Sequence, residues 1–152
     1  MSDTTLATRS ASRRRVGRVA GTGLLAAVAA AGATATAAAL ARAAGVGFEV
    51  PDGGESIPVS GVAFVTAVLS LVGVGIAVAM QRWSSRPAEH FVRTTVALTV
   101  VSLVPPFLVG ANAGTSLTLV ALHLLAAVIV VPTLARTLRT GTGSAATSEW
   151  PA

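Results

Sequence analysis

Between Arg18 and Arg42 the chain runs for 23 residues without a charged side chain, and three more charge-free apolar stretches follow. A helix of about 20 mainly apolar residues, within a range of roughly 17 to 25, is enough to cross the hydrocarbon core of a bilayer. Counted between flanking charges and turns, spans are predicted at about residues 19–41, 60–81, 94–110 and 116–135. Lipid offers no hydrogen bonds, so each span must satisfy its own backbone as a helix. The predicted fold class is therefore all-α, a four-helix transmembrane bundle running up-down-up-down, with a short outer loop or β-hairpin between helices 1 and 2. The composition agrees: 11% of the 152 residues are charged and 53% are apolar, whereas about a quarter of an ordinary soluble domain is charged.

The charges that remain set an orientation. All eleven basic residues are Arg, and ten of them fall on one side of the predicted spans: Arg9, Arg13, Arg14, Arg15, Arg18, Arg82, Arg86, Arg93, Arg136 and Arg139. The other side holds Arg42 with Glu49, Asp52 and Glu55. Positive flanks stay cytoplasmic, so both termini are expected there, in a bacterial plasma membrane. A net charge of +5 could also suggest nucleic-acid binding. Here the Arg residues flank spans and form no soluble basic face, so no nucleic-acid partner is expected.

Residues 1–15 are short polar side chains and Arg, predicted as a disordered cytoplasmic tail, as are residues 140–152; residues 16–139 form the membrane domain. Ser12-Arg13-Arg14-Arg15-Val16 before an Ala-rich run also fits a twin-arginine export signal. A signal h-region spans about 7 to 15 residues, which the first stretch exceeds, so a retained helix is expected. Residues 47–59 alternate around Pro51-Asp52-Gly53-Gly54, turn chemistry that favours a hairpin. The short link from Arg82 to Arg86 makes spans two and three antiparallel neighbours. Pro87 and Glu89 suit a first helical turn, and Trp83 an interfacial anchor.

Helices in lipid associate by close packing and hydrogen bonds. From Ala26 to Ala39 nearly every residue is Ala, Gly or Thr, so the first helix is expected at the centre, approached from several sides. Gly73 and Gly75 are expected to form a second close contact, and Gly17 and Gly21 match the small-x3-small pattern.

No Asp, Glu, Lys or Arg lies within the spans, and the chain has no Cys. Thiolate and disulfide chemistry are excluded, and two distant His residues cannot assemble a usual metal site. Small four-span multidrug exporters use a membrane-embedded Glu that this chain lacks. No nucleophile elbow, phosphate loop or nucleotide fingerprint is present. The expectation is therefore no enzyme, no catalytic residue, no cofactor and no metal. His123 is the one ionisable side chain within a span. At about 1.5 Å per residue, His123 and Thr34 lie roughly 10 Å from the outer ends, Ser102 roughly 12 Å and Ser70 roughly 15 Å. These four form a candidate polar layer, structural or ligand-binding. In the structural alternative, His123 bonds Ser102 or a carbonyl freed by Pro105 and Pro106. His90, beside Glu89 and Arg93, is expected to be solvated.

Residues 121–137, ALHLLAAVIVVPTLART, with Ser102-Leu103 and Pro106 before them, resemble a family of uncharacterised four-helix integral membrane proteins of high-GC Gram-positive bacteria, a domain of unknown function. His123, Pro132, Ala135, Arg136 and Thr137 match its pattern of a His, an apolar run, a Pro and an Ala-Arg-Thr exit. The resemblance covers roughly residues 16–140 and implies a retained first helix and a multi-pass location. It implies no activity. The function expected is a small non-enzymatic structural or accessory protein, whose partners are the lipid bilayer and another membrane protein or a second copy. The alternative is a carrier or sensor that binds a small molecule near His123 in the outer half of the bundle.

Overall fold

The computed structural model describes residues 3–48, 57–104 and 113–143. Four helices make up the regular structure of these residues: α1 (Asp3–Ala43), α2 (Val59–Trp83), α3 (Pro87–Ser102) and α4 (Ala113–Gly143). Three are long and apolar enough to cross a membrane: α1 over Ser10–Ala43, α2 over its full length, and α4 over Ala113–Thr140. The predicted third span corresponds in part to α3, which begins at Pro87 and has 16 residues, about 24 Å at 1.5 Å per residue. It falls short of the roughly 30 Å hydrocarbon thickness. The rest of that span, with Pro105 and Pro106, lies outside the described residues. So do residues 49–56 of the expected hairpin, Asn112, and residues 144–152.

α1 starts at Asp3, so most of the stretch expected as a disordered tail is helical. No Pro interrupts residues 3–43, and propagation adds one hydrogen bond per residue once a helix exists. The Ala-rich span supplies that helix. α4 likewise continues past Arg139 and through Pro132 without a break. At its C-terminus α1 closes with a glycine cap: Gly45 has φ +89°, its N–H meets the Arg42 carbonyl, and the Val46 N–H reaches back to Ala41. This pair of bonds is the Schellman arrangement, for which Gly lacks the Cβ penalty. Pro87 at the start of α3 and Glu89 in its first turn occupy the positions expected from the spare N–H groups and the positive helix end.

α1 packs against α2 and α4, and α3 closes against those same two helices. One stripe of α1 makes these contacts, with Val19, Ala26, Ala30, Thr34 and Ala38 all buried at the i, i+3/i+4 spacing of one helix face. The opposite face carries Leu24, Leu25, Val28 and Leu40 outward. The expectation of contact from several sides is thus corrected: two neighbours share one small-residue stripe. Gly23 lies on it, and a Cβ built there would sit 2.6 Å from Val74 Cγ2 and 3.1 Å from Leu134 Cδ2. Gly17, Gly21, Gly73 and Gly75 would meet nothing within 4 Å. The close contact expected at Gly73 and Gly75 does not form within the chain, because these two glycines fall beside the buried stripe of Ser70, Val74 and Ala77.

Away from the few large buried side chains, the interior is built of small residues and the exterior is apolar. Ala30, Thr34, Ala38 and Ala77 are fully buried, whereas Leu25, Phe64 and Val128 are about 70% exposed. Such an apolar exterior over small buried residues is what lipid solvent requires, and the chain is a small membrane protein. Two buried clusters hold the ends. At the arginine end, Phe91 packs with Val19, Val74, Leu134 and Leu138. At the opposite, loop end, Phe48 packs with Ala38 and Leu122.

Candidate functional site

Of the four polar residues singled out, the structure joins two directly. Ser102 ends α3 and His123 lies within α4; Ser102 Oγ and His123 Nε2 are 2.8 Å apart. Ser102 Oγ also lies 2.8 Å from the Thr99 carbonyl. A hydroxyl has one proton: with it on the Thr99 carbonyl, Ser102 accepts from His123 Nε2–H, and with it on Nε2, the ring carries its hydrogen on Nδ1. The expected pairing of His123 is thus found with the side chain of Ser102. The carbonyl of Val101, one of the two acceptors expected to need a donor, is met by the Val104 N–H at 3.2 Å, because the chain turns immediately after α3.

Thr34 belongs to a second polar contact. It is fully buried, and its Oγ1 lies 2.9 Å from the Ala30 carbonyl and 3.2 Å from Thr66 Oγ1 on α2. Thr66 was not among the residues anticipated. It stands four positions before Ser70, one turn away on the same face, and that spacing was the available signal. Ser70 is buried with Val74 and Ala77 along the inward face of α2. The predicted layer therefore resolves into two interhelical pairs, Thr34–Thr66 and Ser102–His123, with Ser70 one turn from the first.

Further polar ties went unanticipated. Thr115, 1% exposed, donates to the Gly47 carbonyl, joining the first turn of α4 to the chain leaving α1. Arg42 reaches the Ile57 carbonyl at 3.1 Å, and the Ile57 N–H meets the Phe48 carbonyl at 2.8 Å. Thr95 bonds the Phe91 carbonyl at 2.8 Å within α3. His90 is exposed, as expected, yet its Nδ1 meets Ser84 Oγ, which also accepts from the Arg86 N–H at 3.2 Å. This local bonding shapes the link between α2 and α3.

Ser102 and His123 are half-buried. One open cleft lies at the start of α3 and another between α1 and α4 beside Leu117 and Leu122; neither of these is lined by Ser102 or His123. Among the described residues no three His, Cys, Asp or Glu side chains come together to hold a metal ion. What the arrangement offers chemically is hydrogen bonding between helices.

The model of a family described as of unknown function, DUF6069, matches residues 14–140. No curated protein and no solved structure matches the chain.

Proposed function

We propose that this chain, which belongs to DUF6069, a family of unknown function, is a small non-enzymatic membrane protein that works through helix contacts with another membrane protein or a second copy of itself. The observation that carries this proposal is the Ser102–His123 bond. The one ionisable side chain within the predicted spans, His123, is engaged by the neighbouring helix, so the group most suited to a ligand or proton serves as a clamp. Gly75, with open space beside it, shares one face of α2 with the outward Phe64, Val68 and Leu71, a face that another helix could approach closely.

The contact pairs support an up-down-up-down course: Gly23 lies opposite Val74 and Leu134, Thr34 opposite Thr66, and Ser102 opposite His123. With ten of eleven Arg on one side, both termini are assigned to the cytoplasmic face of a bacterial plasma membrane.

The test is purification of the full chain from native membranes in mild detergent, with mass spectrometry of bound proteins and small molecules. A stoichiometric membrane partner, or a stable homo-oligomer, is expected. A small molecule retained by the natural protein and lost from His123→Leu would replace this role with that of a carrier or sensor.

A further inference from the structure

A second site lies at the arginine end, away from His123. Here a cleft of about 470 Å³ forms where the link from α2 enters α3 and the C-terminal part of α4 passes by. Arg86, Arg93 and Arg139 line it, with Glu89 as the one acid among its lining residues. Glu89 does not saturate the arginines beside it. Its oxygens stand 3.5 Å from Arg86 and 3.7 Å from Arg93, whose side chains are 74% and 76% exposed. Each guanidinium has five N–H donors in a planar fork, the geometry that suits bidentate phosphate contacts. The exposed guanidiniums of Arg86 on the link and Arg93 on α3 share the single carboxylate of Glu89 at these long distances, which leaves this pair with an excess of positive charge.

Its height in the bilayer narrows the ligand class. The spans of α2 and α4 end at Trp83 and Thr140, so Arg86 and Arg139 sit at the level where hydrocarbon gives way to headgroups. Trp83, 79% exposed at the same level, is placed as interfacial aromatics are. Ala88 and Val92 complete the lining with apolar surface, against which an acyl chain could rest while its phosphate meets the arginines. A freely soluble anion has no use for that wall. We propose that this cleft binds the phosphate of an anionic phospholipid headgroup, as basic pockets between membrane helices do elsewhere.

The experiment uses the full chain in mild detergent, titrated with dioleoylphosphatidylglycerol or dioleoylphosphatidylcholine and read by native mass spectrometry. The cleft variant Arg86→Gln/Arg93→Gln is compared with Arg14→Gln/Arg15→Gln, which removes the same charge from α1. The natural protein should retain phosphatidylglycerol over phosphatidylcholine. The cleft variant should lose at least about tenfold in retention, the scale of one charge-assisted hydrogen bond, while the α1 variant stays within about twofold. Equal losses in both variants, or none in either, would overturn the site. Glu89→Gln keeps every arginine and should raise retention; an unchanged or lower value would count against the cleft even if the double variant misfolds. Inorganic phosphate at millimolar concentration should leave the bound lipid in place, and its displacement of the lipid would reassign the cleft to a soluble phosphate.

Discussion

The two ends of the bundle are held by different means. At the arginine end, Phe91, Leu134 and Leu138 are fully buried beside Val19 and Val74, and cohesion comes from a broad cluster drawn from all four helices. At the loop end the buried cluster shrinks to Phe48, Ala38 and Leu122, and polar ties take over: Thr115 to Gly47, Arg42 to Ile57, and Ser102 to His123. The difference follows from the helices' side chains. α1 brings only small residues to its buried stripe near Thr34 and Ala38, so little large apolar surface can meet there, whereas α3 delivers Phe91 to the other end.

This contrast can be broken most sharply by truncating its two aromatic anchors. Phe91→Ala should cost about 3–4 kcal/mol of stability, read from thermal unfolding in detergent. Phe48→Ala should cost about 2 kcal/mol, because the non-helical chain around it can settle into the space, and the cost of a cavity depends on such collapse. Equal losses would mean that the ends are built alike.

Next in size is the close approach that joins α1 to both neighbours. Gly23→Ala should destabilise by about 1–2 kcal/mol, since stiff β-branched Val74 must give way. Gly73→Ala meets open space and should be neutral or stabilising by under about 1 kcal/mol. A double-mutant cycle of Ser102→Ala and His123→Leu would sharpen the polar side of the comparison. Interhelical hydrogen bonds in membranes average about 0.6 kcal/mol and reach about 1.7, and coupling of that size is expected. The smallest effect belongs to Glu89→Gln, where loss of two long exposed ion pairs should change melting by no more than about 0.5 kcal/mol of stability.

What the amino-acid order determined alone is the class of solvent and the helical state. Charge-free stretches of span length leave a chain no other way to satisfy its backbone in lipid, and α1, α2 and α4 each contain one of them whole, running past an Arg that flanks it. Local chemistry also marked Pro87 and Glu89 as a helix start. The extent of α1 back to Asp3 is not legible in the sequence, because polar residues and Arg without apolar periodicity suit a disordered tail as well as a helix propagated from the adjoining span.

The candidate site was half legible. Depth counting put Ser102 and His123 at similar height, and they lie on consecutive helices, α3 and α4, where the structure joins them. It could not place Thr34, because depth gives height along the bundle and no azimuth. Only packing decides which faces meet, through contacts a few ångströms wide such as Gly23 against Val74. The same contacts turn Thr34 toward Thr66 and leave Gly75 facing outward. Helix rotation is set by these side-chain fits between distant segments, and a one-dimensional pattern of small and polar residues allows several rotations of nearly equal merit.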